Sequence, residues 1–305
     1  MSETTAGASK LLPRSSAAAS RRGAIAAAGL ALVLLLAIYV PVLYYMVLQW
    51  YNSEDYSHGF LIVPLALYFI WERRRRLARL PIEPSWWGVV PLALGSLTLA
   101  IGRLGTELMN MRVSFVLTLI GLVLLLLGRR IFRLLAFPLC FLFLMVPLPE
   151  SLLNVVAFPL QLVAADLAVN AVQMLGIPAL REGNIIHLAN AQLFVAQACS
   201  GLRSLMALIT LGVVFAYFFR KSLAERAIIV LSAIPIAILV NAFRVALTGV
   251  LTHNFGQGAA EGMIHTTEGL FTFAIAFLLL LGEAWLLQLL WPKRWRGARH
   301  KERPA

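Results

Sequence analysis

Eight stretches of this chain are almost unbroken in apolar residues, at about 24–48, 58–72, 87–104, 113–128, 131–149, 200–219, 226–252 and 266–291. Short polar segments separate them, several dense in arginine. A helix needs about 20 residues to cross roughly 30 Å of hydrocarbon, and most of these stretches approach or exceed that length. In lipid every backbone N–H and C=O must be satisfied internally, so such runs fold as helices. The pattern predicts an all-α polytopic membrane protein with about eight transmembrane helices. Lys10, Arg14, Arg21 and Arg22 precede the first run, as in a secretory signal. That run extends to Leu48, beyond the roughly 7–15 residues of a signal's apolar core, and no small-x-small cleavage site closes it. It reads as a retained signal anchor. Residues 1–23, rich in Ala and Ser, are expected to form a disordered cytoplasmic tail. Residues 24–292 are expected to form the transmembrane domain, and 293–305 a basic cytoplasmic tail.

Composition agrees. The chain is 60% hydrophobic and 13% charged, against about 45–50% and about 25% in soluble proteins. A net charge of +12 would suit nucleic acid, but its distribution argues for a membrane instead. With the N-terminus inside, 21 of the 26 Lys and Arg residues fall on inner segments, at 1–23, 73–79, 129–133, 220–226 and 293–303. Only Arg103, Arg112, Arg181, Arg203 and Arg244 are left for the outer side. Cytoplasmic loops carry this kind of excess, so both termini are expected in the cytoplasm, and no nucleic-acid partner is expected. Two cysteines, Cys140 and Cys199, do not make a disulfide framework. Cys140 sits within an apolar run, where a thiol is a small filler.

This orientation leaves one long outer (periplasmic) segment, residues 150–199, and puts His58, His187, His253 and His265 at or near the outer boundary. Leu152 to Leu175 has apolar residues at helical spacing, interleaved with Asp166, Asn170 and Gln173. It could be an interfacial amphipathic helix or a shallow re-entrant one. Between Ile177 and Val195, Gly183-Asn184 stands before Ile-Ile-His-Leu and Leu-Phe-Val, which predicts a small hairpin leading to Cys199.

Ala198-Cys199-Ser200-Gly201-Leu202-Arg203 is the most informative segment. Cys199 stands at the start of a membrane helix, where unpaired N–H groups and the helix dipole stabilise a thiolate. Arg203, four residues on, shares its face and adds positive charge. The plain alternative is a small packing residue at a helix end. Arg244 lies in the outer half of the seventh stretch, with Asn241 on the same face. An arginine within hydrocarbon costs about 2.5–3.5 kcal/mol on insertion scales and usually faces an interior; the alternative is a snorkelling side chain. His265 opens the eighth stretch, and its imidazole is suited to proton transfer near neutral pH, with Glu268 three residues on to orient it. A capping histidine is the competing reading there, as a cap and turn is for Ser57-His58-Gly59, which could otherwise line a cleft. A thiol, a guanidinium and an imidazole on one membrane face are the minimum set for acyl transfer. No metal-ligand pattern, phosphate-binding loop, dinucleotide fingerprint or GxSxG motif is present, so neither cofactor nor metal is expected.

These motifs resemble the exosortase/archaeosortase family over most of the membrane region. They are Asp55-Tyr56-Ser57-His58-Gly59-Phe60-Leu61-Ile62 with Tyr68 and Trp71-Glu72-Arg73-Arg74, then Arg181-Glu182-Gly183-Asn184-Ile185-Ile186. Ala198-Cys199-Ser200-Gly201-Leu202-Arg203-Ser204-Leu205 follows, then Pro235-Ile236-Ala237-Ile238 with Asn241 and Arg244, and His265 to Gly269. The resemblance implies a bacterial inner-membrane cysteine peptidase or transpeptidase that recognises proteins with a PEP-CTERM tail. Such a tail has a Pro-Glu-Pro motif, a spanning helix and a basic end. Carried over by position, Cys199 would be the nucleophile, Arg244 would stabilise the oxyanion or position substrate, and His265 would move protons. Arg203, Asn241, His58 and Glu268 would support them. The acceptor of the acyl group is unspecified, a lipid- or glycan-linked one being among the options. Some family members carry a further C-terminal domain tied to exopolysaccharide systems that this chain is expected to lack. Two other readings compete. One is a transporter or assembly component for envelope polysaccharide, and the other is a non-catalytic scaffold.

Overall fold

The computed structural model describes residues 14–189, 191–195, 202–219, 222–256 and 263–290. Each of the eight apolar stretches contains an α-helix within those bounds, and the stretch at 131–149 leaves helical structure after Met145. The chain divides into two compact units, residues 1–147 and 148–305.

In the first unit, α1 (Arg14–Asn52) starts ten residues ahead of the apolar run, because the Ala-rich lead-in is itself a strong helix former. A 3-10 turn (Glu54–Tyr56) leads to α2 (Gly59–Glu72) and the short α3 (Arg74–Arg79). Next come α4 (Val89–Leu104), α5 (Leu108–Leu126) and α6 (Arg129–Phe141), which ends in a 3-10 turn over Leu142–Met145. The α4–α5 pair shows why these helices associate. Lipid tails are as apolar as leucine, so membrane helices pack through small residues that let backbones approach. A Cβ on Gly88 would lie 2.3 Å from the Leu125 nitrogen, one on Gly95 2.5 Å from Thr118 Oγ1, and one on Gly121 2.7 Å from the Leu92 nitrogen. Helix α1 joins through a polar tie, with the Tyr39 hydroxyl 2.9 Å from Ser114 Oγ. Outward faces carry exposed aliphatic side chains such as Val33, Leu97 and Ile101, as a lipid solvent requires.

The two ends of this unit differ in charge. Arg21 donates to the Ala78 carbonyl at 2.6 Å, and Arg73 to that of Leu134 at 2.6 Å. These bonds gather the start of α1, the α2–α3 turn and the head of α6 at one arginine-rich end. At the other end, Trp50 Nε1 donates to the Met145 carbonyl at 3.0 Å, and its ring fills the space beside Gly59. A Cβ there would fall 2.4 Å from Trp50 Cε2. Gly59→Ala is therefore expected to lower stability by about 1–3 kcal/mol through overpacking, read as a lower unfolding temperature of the detergent-solubilised protein.

The second unit opens with α7 (Glu150–Met174), followed by β1 (Ala179–Glu182), β2 (Ile185–Leu188) and β3 (Gln192–Phe194), then α8 (Leu202–Phe219), α9 (Leu223–Phe255) and α10 (Met263–Leu290). The expected hairpin is present and gains a third strand, giving an antiparallel sheet in the order β1-β2-β3 with Glu182 opposite Ile185 and His187 opposite Gln192. Gly183 takes a φ of 63° in the two-residue β1–β2 turn, a conformation that suits glycine. Helix α7 covers the segment expected as an interfacial amphipathic or shallow re-entrant helix. It is one 25-residue helix, about 37 Å long, with Ala164, Ala165 and Ala168 fully buried. Leu160 packs with Ala237 and Val240, while Val172 faces Gly249, so α7 runs along α9 in the same direction. The small alanines allow that close packing.

Among the described residues, five helical segments are long and apolar enough to cross a membrane: Arg21–Asn52, Trp86–Leu104, Leu108–Leu126, Leu223–Phe255 and Gly269–Leu289. Gly59–Glu72 and Leu205–Phe218 are shorter apolar helices, and α6 stops after 13 residues. The chain is a multi-pass membrane protein.

Candidate active site

Helix α9 is the spine of the second unit. Its face at Val240, Asn241, Val245 and Ala246 is buried. Asn241 is on that face, so a polar amide is held inside apolar surroundings, and Arg244 is half-buried one turn on, its Nε without solvent contact. The Arg244 guanidinium lies against Gly269 of α10: a Cβ on that glycine would sit 3.2 Å from one Nη and 3.4 Å from Cζ. Gly269 thus removes the side chain that would otherwise push the cation away. Thr248 and Thr272 donate their hydroxyls to the carbonyls of Arg244 and Gly269, at 3.0 and 3.1 Å, and so are themselves satisfied beside the contact.

Cys199 lies outside the described residues. Arg203 falls in the first turn of α8, and His265 and Glu268 in the first two turns of α10; their side chains are likewise outside the described set. His265 precedes Gly269 by four residues, about 6 Å along the helix. The described residues flanking Cys199 have defined positions. Val195 is fully buried in a cluster with Val245 and Ala246 of α9. Leu205 is buried in a cluster with Ala237 and Val240. These two clusters bracket Arg244 along α9.

The sheet that carries the chain to this region is fastened to α7. Arg181 Nε pairs with Asp166 Oδ1 at 2.5 Å and its Nη1 donates to the Gly183 carbonyl at 2.9 Å. Gln173 donates to the Ala179 carbonyl at 2.7 Å. Asp166 and Gln173 read only as polar positions on a helix; the clamp they form with β1 has no local signature.

His58 belongs to the first unit. It stands at the N-cap of α2 without capping the helix through its side chain, and its Nδ1 lies 3.1 Å from the Asp55 carbonyl. Burial pushes its pKa below the ordinary value of 6.5, outweighing the Leu144 and Asp55 carbonyls and the Asp55 charge, which pull upward. A group with a depressed folded pKa stabilises the fold in its neutral state. That contribution is complete above about pH 6.5 and is lost as pH falls through the lower folded value. His58→Gln is expected to flatten the acid limb of the unfolding-temperature profile below about pH 6.5, measured in detergent.

A buried arginine elsewhere has no signature in the sequence. Arg112, near the start of α5, is 3% exposed, and its Nε has no hydrogen-bond partner among the described residues. Glu107 supplies nearby negative charge while its carboxylate caps α5, accepting from Met109 and Asn110 nitrogens at 3.1 and 2.7 Å. Among the described residues no three His, Cys, Asp or Glu side chains converge as a metal site.

The family model for transmembrane exosortases matches residues 50–282. The chain belongs to the transmembrane exosortase family. The match begins at Trp50, the residue seated on Gly59, and ends within α10, so it takes in both units and all the motifs named above. No curated protein and no solved structure matches this exosortase.

Proposed function

We propose that this exosortase is a thiol peptidase or transpeptidase that cleaves PEP-CTERM-tagged, membrane-anchored proteins at the outer face of the bacterial inner membrane. The observation that carries the reading is the seating of Arg244 against Gly269, which holds a guanidinium beside the α10 turn that begins with His265. In the proposed reaction the Cys199 thiolate attacks the scissile carbonyl carbon, and Arg244 stabilises the oxyanion that forms. The C–N bond then breaks, His265 delivers a proton to the departing amine, and a thioester remains. Water or an acceptor amine, lipid- or glycan-linked, attacks the thioester and returns the thiol. Asn241, buried beside Arg244, would hold the guanidinium in place, with Arg203 and Glu268 in supporting roles.

The proposal includes eight membrane crossings with both termini in the cytoplasm and one transmembrane domain over 24–292. The single arginine-rich end of the first unit supports that orientation. A substrate held by its own helix would diffuse in the membrane plane and arrive oriented at the outer interface, which supplies part of the proximity acyl transfer needs. A link to exopolysaccharide export belongs to the same proposal. A transport reading would make Glu283 its acidic relay, but Ser232 donates to that carboxylate, tying α9 to α10. The test is processing of a PEP-CTERM-tagged reporter co-expressed with the enzyme and followed by gel shift in isolated membranes. A mobility shift that requires Cys199 supports the reading, and an unchanged shift with Cys199→Ala overturns it.

A further inference from the structure

The arginine-rich end of the first unit is more than a run of loop charge. Helix α3 is amphipathic. Leu77 of α3 and Leu80, the residue just after that helix, pack into the cluster of Ile131, Leu135 and Leu139 on α6, while Arg74, Arg75, Arg76 and Arg79 stay exposed. The Arg73 bond to the Leu134 carbonyl locks this arrangement. Residues 73–79 and 129–133, far apart in the chain, thereby form one surface. Two of its arginines are already posed on exposed indoles. Arg74 lies 3.9 Å from the Trp71 ring centroid, and Arg129 5.7 Å from that of Trp87. Trp71, Trp86 and Trp87 are 56%, 84% and 64% exposed, as interfacial tryptophans are.

Counter-charge within the protein is sparse. Glu83 engages Arg130 at 3.2 Å, and Glu72 is exposed beside Arg73. Among the described residues, Arg75, Arg76, Arg79 and Arg133 are exposed and make no side-chain hydrogen bond or ion pair. Four unengaged guanidiniums, an apolar footing and exposed indoles fit a phosphate carried on an acyl chain. Arginine takes a phosphate through paired N–H donors.

We infer that the α3–α6 platform, with Arg75, Arg76, Arg79 and Arg133 as its anion-binding groups and Trp71 and Trp87 as its interfacial anchors, is a docking site for the headgroup of an anionic phospholipid. The platform uses no residue of the proposed thiol chemistry, so its fate does not depend on that of Cys199. Bound lipid would hold α3 against α6 and fix the depth of the first unit in the bilayer.

The experiment uses the full chain, purified in detergent and delipidated, titrated with diphosphatidylglycerol or phosphatidylcholine, with adducts counted by native mass spectrometry. Each arginine near an anionic lipid surface is worth about fivefold in affinity. Arg75→Gln, Arg76→Gln, Arg79→Gln and Arg133→Gln are each expected to weaken diphosphatidylglycerol binding about fivefold, and the triple variant at 75, 76 and 79 about a hundredfold. These side chains are exposed, so folding is retained. Arg103→Gln removes the same charge from an exposed position at the far end of α4 and is expected to change nothing. Equal affinity for phosphatidylcholine in the wild-type protein would overturn the inference. So would an equal loss in Arg103→Gln, which would reveal only diffuse attraction to net positive charge.

Discussion

Alanine at position 199 is expected to reduce reporter processing by at least about a thousandfold, to the background of the membranes. Removing a nucleophile removes the covalent route itself, and what survives in such variants is only what binding and oxyanion stabilisation supply. Serine at 199 is expected to be nearly as inactive, because a hydroxyl is not ionised near neutral pH and attacks only when a base is already set to take its proton. Cys140, exposed on α6 in the first unit, is the internal control: Cys140→Ala is expected to process normally. Labelling with a membrane-impermeant thiol reagent from the outer side should block wild type and the Cys140 variant alike. Hydroxylamine should release acyl product from wild type if a thioester accumulates. Normal processing by the alanine variant would end the thiol mechanism while leaving family membership and the lipid platform untouched.

The second large effect is expected at Arg244. Arg244→Gln should lower the processing rate about a hundred- to a thousandfold, the usual cost of removing an oxyanion-stabilising donor. Arg244→Lys should recover only part of it, since a lysine keeps the charge but loses the planar fork. The contact with α10 supplies an independent check. The Cβ of an added side chain at 269 meets the guanidinium at 3.2 Å, tighter than ordinary van der Waals contact, and a branched chain would displace it. Gly269→Leu is therefore expected to reproduce much of the Arg244→Gln loss without touching a reacting group. The loss should be in turnover rather than in the substrate concentration needed for half-maximal rate, because a displaced oxyanion donor is missed mainly in the transition state. If Gly269→Leu processes like wild type, the seating of Arg244 does not govern catalysis.

What one dimension can carry, this chain carried. The helical class, the eight apolar stretches and the concentration of arginine between them are properties of consecutive residues. Hydrocarbon thickness and loop charge act on consecutive residues directly. The turn at Gly183-Asn184 was equally local, and the order of the motifs around Cys199, Arg244 and His265 was enough to point to the exosortase family. Tertiary structure alone decided the rest. Helix α7 became a long partner of α9 because Ala164, Ala165 and Ala168 admit a neighbouring backbone, and an alanine stripe does not name its partner. Arg244 found Gly269, Arg181 found Asp166, and α3 found α6 across separations of about 15 to 55 residues. In a membrane, leucine facing lipid and leucine facing protein look the same in hydropathy. Which faces meet is written in small residues and buried polar groups whose partners lie far along the chain, and only the fold brings those partners together.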